Sequence, residues 1–404
     1  MDESDFKNSG VSAVPQASEG LAAALAGRFP PGFVWGAATS AFQIEGATRE
    51  GGRGESIWDR FCRVPGAILD GTDGDVACDH YHRMEADVAL LAGLGIRAYR
   101  FSIAWPRVQP AGQGAFNEEG IRFYDRLLDA LASRGIAAHA TLYHWDLPQA
   151  LQDSGGWASR ATVERFVAYA REMGRRFGGR LASLTTFNEP WVVAVLGHEE
   201  GIFAPGLRSR RTALQAAHHM LLAHGLALQA LRADGVRCPL GIVLNQSPSD
   251  PASADPGDIA RARLEDGRLV RWYMDPLLLG RYPSDVLESL QDDEVPGIGP
   301  GDMQAIAAPL DFLGINYYTR NVFDAQGMVD ADRRGCETTA MGWEVRPSSL
   351  TELLLRLRRD YRLPPLYLME NGAAYEDRCV AGRVADPQRV RYLAAHIAAA
   401  ADVL

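Results

Sequence analysis

PLYLMENG, from Pro365 to Gly372, is a run of mostly apolar residues that begins at a proline and stops at Glu370, Asn371 and Gly372. Tyr and Leu favour extended structure, and an Asn-Gly pair is a strong turn signal. The stretch therefore predicts a buried strand with a carboxylate at its carboxyl end. Taken alone, the pattern is more typical of a strand that ends in a solvated turn.

A second stretch has the same design. SLTTFNEP, from Ser183 to Pro190, is a short run of strand-forming residues that ends at Asn188, Glu189 and a proline. The two glutamates are 181 positions apart (370 − 189). Two carboxylates at strand ends indicate a paired acid and nucleophile.

Strand-like and helix-like runs alternate from Phe29 onward, which predicts an α/β fold with a parallel sheet. The predicted strands are residues 33–45, 96–105, 136–145, 181–187, 240–245, 311–318 and 366–370. The predicted helices are residues 79–94, 118–133, 162–177, 212–233, 259–273, 349–360 and 387–404. We interpret residues 29–404 as a (β/α)8 TIM barrel that lacks its eighth strand, and residues 1–28 as a disordered polar tail.

In a barrel of this kind, functional side chains lie at the carboxyl ends of the strands. Polar or aromatic residues occupy these positions or lie within the strands: Gln43, Glu45, Arg100, His144, Trp145, Asp146, Asn188, Glu189, Asn245, Asn316, Tyr318 and Glu370. Each has an ordinary structural explanation, such as a core histidine for His144 or an ion-pair partner for Arg100. The repetition of the pattern from strand to strand favours a shared site.

Two glutamates suit the cleavage of a glycosidic bond. One carboxyl group protonates the leaving oxygen, and the other stabilises or attacks the oxocarbenium-like sugar. In retaining enzymes the two carboxyl groups lie roughly 5 to 5.5 Å apart. Arg100 and a hydrogen bond from Tyr318 would keep the nucleophile ionised, whereas a drier site would keep the acid protonated.

Specific motifs strengthen this hypothesis. In chain order they are FPPGFVWGAATSAFQIEG, YRFSIAWPR, YHWDLPQAL followed by GGW, TFNEPW, DFLGINYYT, MGWEVRP and LMENG. With these motifs the chain resembles glycoside hydrolase family 1, the retaining glycosidases of β-glucosidase type, from Phe29 to its last residue. The resemblance implies that Glu189 is the acid/base, that Glu370 is the nucleophile, and that the substrate is a small β-glycoside or an oligosaccharide.

The same resemblance implies roles for the neighbouring residues. It implies sugar binding at the cleavage subsite for Gln43, His144, Trp145 and Asn188. Arg100 and Tyr318 would tune Glu370, and Trp343 would contact the aglycone. Asn316 and Tyr318, at the end of the sixth strand, are further candidates for substrate binding. The HWDLP form, with Trp145, is more similar to the branch that acts on non-phosphorylated glucosides.

Composition excludes several other classes of function. A net charge of −10 argues against a nucleic-acid partner, and no window is apolar for long enough to span a membrane. The five cysteines are scattered without metal-ligand spacing, and we interpret them as reduced thiols that lie mostly in the core of a cytoplasmic protein. No cofactor or metal is expected. The sequence leaves a monomer and a homo-oligomer equally open.

One departure from the family pattern leaves alternatives open. Members of the family continue into an eighth strand with a motif like WSLLDNFEW, which this sequence does not contain. The chain is then either a shortened copy of a working enzyme or a product whose gap another segment or partner fills. The rival function is a catalytically impaired barrel that binds sugar weakly. A metal-dependent hydrolase is disfavoured, because no pair of histidines is arranged as ligands at the strand ends.

Overall fold

The computed structural model describes residues 24–404. The predicted tail, residues 1–28, lies outside the described residues as far as residue 23, and residues 24–26 form one helical turn. The chain divides into two compact units. The barrel unit consists of residues 34–329 and 360–370, and the second unit holds the described residues 24–33, 330–359 and 371–404.

The barrel unit is built on one sheet of seven parallel strands whose spatial order equals their order along the chain. The strands are β1 Gly36–Ala38, β2 Ala98–Ser102, β3 Ala137–Tyr143, β4 Ser183–Asn188, β5 Leu240–Asn245, β6 Phe312–Asn316 and β7 Leu366–Glu370. Parallel neighbours in chain order are the pattern of a (β/α)8 barrel. The predicted fold class, a TIM barrel without its eighth strand, is confirmed.

Helices connect the strands of the barrel unit. The longer ones are α1 His80–Gly93, α2 Glu118–Ser133, α3 Arg160–Phe177, α4 Arg210–Ala233, α5 Pro256–Asp266 and α6 Trp272–Leu279. Short helices are Ala41–Ile44, Ile57–Cys62, Trp105–Val108, Gln149–Gln152, Ser284–Leu287 and Asp302–Ile306, with 3₁₀ turns at Gly156–Ala158 and Gly178–Arg180 and π-helices at Val192–Glu199 and Gly267–Arg271. Three further strands, Ser249–Pro251, Asn321–Asp324 and Gly327–Met328, form a small separate sheet.

The longer helices of the described part of the second unit are α7 Ser348–Asp360 and α8 Pro387–Ala401, and the last residue of α7 is assigned to the barrel unit. It also contains a 3₁₀ turn at Asp332–Arg334 and a hairpin of Cys379–Val380 with Arg383–Val384. Thr351 on α7 donates a hydrogen bond to the backbone oxygen of Ala399 on α8 over 2.8 Å. This contact ties the two helices together.

The first strand is shorter than predicted. The prediction extended it over residues 33–45, but only three residues pair with β2. The backbone leaves the ladder because the N–H of Ala41 binds the side-chain oxygen of Ser102 over 2.7 Å, and a short helix begins there. Gln43 therefore lies on the short helix that follows β1 in the chain, and not at a strand end.

The cysteine prediction is wrong in part. All five thiols are free, but Cys238 alone is buried. Cys62 and Cys336 are half-buried, and Cys78 and Cys379 are exposed. The thiols therefore contribute little to the core.

An aromatic cluster in the barrel unit holds β4 in place. The rings of Phe166 on α3 and Phe187 on β4 lie 4.4 Å apart between centroids. Trp157 and Tyr143 pack edge-on against Phe187, with centroid distances of 5.2 Å and 5.6 Å. All four side chains are fully buried. Because interiors are close-packed, this cluster restricts the position of the strand end that follows Phe187.

Among residues 24–404, no helix combines the length and the apolar composition that crossing a membrane requires.

Candidate active site

The carboxyl ends of β4, β6 and β7 bring the predicted polar residues together. Asn188 ends β4 and is followed by Glu189, Asn316 ends β6, and Glu370 ends β7. Asn316 and Glu370 are register partners on adjacent strands. The edge where barrel enzymes place their chemistry thus carries both glutamates.

Glu370 is held by two donors. The Arg100 guanidinium donates to Glu370 Oε1, and the Tyr318 hydroxyl donates to Glu370 Oε2 over 2.5 Å. Burial alone would raise the pKa of Glu370, but the charge of Arg100 and the hydrogen bonds from Tyr318 and Arg100 bring the pKa below its ordinary value. Glu370 is therefore ionised at neutral pH.

Glu189 lies in the opposite environment. Its side chain is buried, and Asn316 Nδ2 donates to Glu189 Oε1 over 2.9 Å. Burial, reinforced by the negative charge of Glu370, raises the pKa of Glu189 to about 8. Glu189 therefore holds a proton at neutral pH, while Glu370 does not.

The backbone at Glu189 is unusual. Its φ is +49°, in the left-handed region that side chains other than glycine rarely adopt. The conformation is held by a hydrogen bond from the N–H of Glu189 to the backbone oxygen of Val243 on β5, at 2.8 Å. Such strain is frequently found at functional sites.

The amide of Asn188 connects the surroundings of the two glutamates. Its Oδ1 accepts hydrogen bonds from Arg100 Nη2 at 2.6 Å and from Asn316 Nδ2 at 3.1 Å. Arg100 also bonds Glu370, and Asn316 also bonds Glu189. One continuous hydrogen-bond network therefore runs from one carboxyl group to the other.

His144 and Trp145, which follow β3, lie beside Asn188. His144 Nε2 is 3.2 Å from Asn188 Nδ2, and the indole N–H of Trp145 donates to the backbone oxygen of Asn188 over 3.1 Å. Burial lowers the pKa of His144 to about 3, so the ring is neutral. Trp145 has a φ of +80°. The loop after β3 therefore braces the strand end that carries Glu189.

The other two predicted residues are Gln43 and Trp343. Gln43 is exposed on its short helix. Trp343 belongs to the second unit and is 38% exposed. Their roles in sugar binding stay predictions.

Sequence reasoning missed Thr141, and it placed Asp146 at the end of the third strand without giving it a role. Thr141 on β3 is buried and accepts a hydrogen bond from Arg100 Nε over 3.2 Å. Its register partners on the neighbouring strands are Ser102 and Thr185, and a polar residue recurring on three adjacent strands is the signal that would have found it. Asp146 follows Trp145 and is fully buried, and neither of its carboxyl oxygens has a hydrogen-bond partner among the described residues.

Within the described range, no three His, Cys, Asp or Glu side chains are grouped as ligands for a metal ion.

Comparison with known families assigns the chain. The model of glycosyl hydrolase family 1 matches residues 25–404. The chain belongs to glycosyl hydrolase family 1. Beta-glucosidase A of Acetivibrio thermocellus is 44% identical to this family 1 chain over 90% of the chain and 84% of the relative. Thermostable beta-glucosidase B of Thermobispora bispora is 47% identical over 93% of the chain and 79% of the relative.

Solved structures agree with the family assignment. The family 1 β-glucosidase of Thermotoga maritima superposes with a TM-score of 0.89 at 41% identity and covers 93% of this chain and 85% of that one. Virulence factor SghA of Agrobacterium tumefaciens superposes with a TM-score of 0.91 at 44% identity, covering 94% and 86%. SghA is also known in complex with its substrate analogue salicin, and the Thermotoga protein with isofagomine lactam. Relatives with this fold thus bind small glycoside-like molecules.

Proposed function

We propose that this family 1 protein is a retaining β-glucosidase that hydrolyses terminal, non-reducing β-D-glucosyl residues by double displacement. The observation that carries the proposal is the opposite ionisation of two glutamates in one network: the pKa of Glu189 is raised to about 8, while that of Glu370 is lowered. An acid and a nucleophile need these two states at the same pH. The β-glucosidase names of the relatives support the choice of sugar.

In the first step, the Glu370 carboxylate attacks the anomeric carbon while Glu189 gives its proton to the glycosidic oxygen. The carbon–oxygen bond breaks, the aglycone leaves as an alcohol, and the sugar is esterified to Glu370. In the second step, Glu189, now a carboxylate, removes a proton from water, and the resulting hydroxide displaces Glu370 from the sugar. Two inversions leave the configuration of the sugar unchanged.

The residues around the glutamates would supply the differential stabilisation that catalysis requires. Arg100 and Tyr318 hold the nucleophile ionised and aimed without reorganisation during the reaction. We assign binding of the sugar hydroxyls to His144, Trp145, Asn188 and Gln43, and contact with the aglycone to Trp343, on the family resemblance. Carboxylate chemistry of this kind needs no metal or cofactor.

The substrates we propose are cellobiose-like oligosaccharides and aryl β-glucosides, which would give the protein a part in cellulose breakdown. The rival function is an impaired barrel that binds sugar without turnover. The observation behind it is that, among the described residues, the sheet runs from β1 to β7 and contains no eighth strand. Calorimetry that detects glucoside binding in the absence of hydrolysis would favour the rival.

Hydrolysis of p-nitrophenyl β-glucoside by the wild type, Glu189→Gln and Glu370→Ala tests the proposal. We expect wild-type turnover and a loss of several orders of magnitude in Glu370→Ala. Added azide should restore Glu370→Ala and yield the α-glucosyl azide, because azide then attacks from the face of the missing carboxylate. Equal activity in the three proteins would exclude the assignment of both residues.

We also propose that the protein works in a reducing compartment, the cytoplasm. The five thiols, none of them paired in a disulfide, support this location. Cell fractionation tests the location, and light scattering of the purified protein distinguishes a monomer from a homo-oligomer.

A further inference from the structure

The Arg100 guanidinium can only donate hydrogen bonds, and this fixes the donor and the acceptor of each bond in the network that connects Glu370 to Glu189. A guanidinium has no acceptor, so Arg100 fixes Asn188 Oδ1, and not Nδ2, as the atom that faces it. The same oxygen also faces Asn316, which must present its own N–H to it. The orientation of the Asn316 amide is therefore determined by Arg100, through Asn188.

Both N–H groups of Asn316 are then in use. One donates to Asn188 Oδ1 over 3.1 Å and the other to Glu189 Oε1 over 2.9 Å. The side-chain oxygen of Asn316 is buried and has no partner among the described residues. Turning the amide over would face two oxygens towards each other at both positions. Asn316 thus leaves its own acceptor unpaired to present two donors.

A protonated carboxyl group carries its proton on one oxygen. An oxygen that receives an N–H is the acceptor of that bond, so Glu189 Oε1 does not carry the proton while Asn316 faces it. Resting on the function proposed above, we infer that Asn316 is a positioning residue that directs the proton of the acid to Glu189 Oε2. This role differs from the substrate contact that the sequence predicted for Asn316.

Two consequences follow for the reaction. The acid presents its proton from one oxygen only. Asn316 therefore increases the rate of cleavage when the leaving group needs protonation, and has little effect on the rate when the leaving group does not need it. The hydrogen bond from Asn316 also favours the ionised form of Glu189 and lowers its pKa against the larger effect of burial. Loss of Asn316 therefore raises the pKa of Glu189.

The test is Asn316→Leu, which keeps the number and branching of the side-chain heavy atoms and removes both donors. Its control is Asn321→Leu, at the half-buried start of a strand in the small separate sheet. For p-nitrophenyl β-glucoside, whose leaving group needs some assistance, we expect kcat/KM to fall about tenfold or more in Asn316→Leu. For 2,4-dinitrophenyl β-glucoside, a much better leaving group, it should fall less than about threefold. The alkaline limb of the kcat/KM profile should move to higher pH in Asn316→Leu and stay in place in Asn321→Leu.

Equal losses on the two substrates with an unmoved alkaline limb would overturn the inference, because a purely structural role predicts that result. If Asn316→Leu fails to fold by circular dichroism, Asn316→Ser replaces it. Its single hydroxyl can serve only one of the two acceptors, and we expect the same changes with smaller size.

A second measurement does not depend on activity. Carboxyl-¹³C glutamate labelling, with the Glu189 signal assigned by its absence in Glu189→Gln, reports the titration of this group directly. We expect the midpoint to move upward in Asn316→Leu, and an unchanged or lower midpoint would overturn the inference. If the wild type hydrolyses neither glucoside, the proposed function fails, and the titration still decides the role of Asn316.

Discussion

The hydroxyl of Tyr318 donates to Glu370 Oε2 over 2.5 Å, from two residues beyond the end of β6 to the last residue of β7. Short hydrogen bonds to a carboxylate are among the strongest in proteins. Because the bond stabilises the charged form, it helps to keep Glu370 ionised despite its burial. Together with the larger effects of burial and of the Arg100 charge, this contact sets the pH at which the nucleophile becomes available.

Tyr318→Phe should shift the acid limb of the kcat/KM profile to higher pH. The hydrogen bond lowers the pKa of Glu370, so its loss raises that pKa, and protonation of the nucleophile then begins at higher pH. We expect kcat/KM at the optimum to fall about ten- to a hundredfold, since hydrogen bonds to charged groups contribute about 1.5–3 kcal/mol. The control is Tyr367→Phe, whose ring stacks on Phe312. An acid limb that stays in place in Tyr318→Phe would contradict the prediction.

Arg100→Met should cost both activity and stability. It leaves a buried carboxylate without its ionic partner, which typically costs about 3 kcal/mol or more. It also removes the donor that orients Asn188. We expect kcat/KM to fall about a hundredfold or more and the urea midpoint to decrease. The activity and stability of Arg100→Lys should lie between those of the wild type and of Arg100→Met. Lysine keeps the charge, but its ammonium lacks the forked guanidinium that donates to Glu370 and Asn188 together. A lysine variant as impaired as the methionine variant would indicate that charge plays no part.

Asp146→Asn should flatten the dependence of stability on pH. Burial raises the pKa of Asp146 to about 7; the charge of Arg53 opposes this shift, while Glu45 and Asp59 add to it. Between its ordinary pKa and pH 7, the folded protein keeps a proton that the unfolded chain has released. Stability therefore falls as pH rises through this window, by about 1.4 kcal/mol per pH unit at most.

Asparagine cannot ionise, so Asp146→Asn removes this decline. Urea unfolding of wild type and variant at intervals from pH 4.5 to 8 measures it. The free energy of unfolding of the variant should increase relative to that of the wild type as pH rises. Parallel curves of unfolding free energy against pH would show that Asp146 does not titrate in this range.

The boundaries that the sequence predicted well are those with strong local signals. Helix α2 begins where predicted, because the side chain of Asn117 caps its first turn by accepting from the N–H of Glu119. It ends where predicted because Gly135, with a φ of +65°, follows its last turn. Strand β7 lies at the predicted residues, since a proline precedes it and Asn-Gly follows it. Local chemistry was sufficient at these positions.

Contacts between distant residues caused the misses. Strand β1 ends early because Ser102, 61 positions away, takes the N–H of Ala41, and no local signal reports this bond. The positive φ of Glu189 and Trp145 occurs in residues that rarely adopt it. The polar residues of the candidate site could be selected from the strand ends, but the orientation of the Asn316 amide depends on a chain of bonds that begins at Arg100.

The most direct test of the central claim, that Glu370 attacks the sugar and Glu189 supplies the proton, is to trap the esterified enzyme. In a 2-deoxy-2-fluoro β-glucoside with a dinitrophenyl leaving group, the fluorine slows both steps of the reaction. The good leaving group speeds the first step only, so the esterified enzyme accumulates. Digestion followed by mass spectrometry should then locate one fluoroglucosyl group on the peptide that contains Glu370. A label on the peptide that contains Glu189, or hydrolysis of glucosides with inverted configuration, would contradict the account.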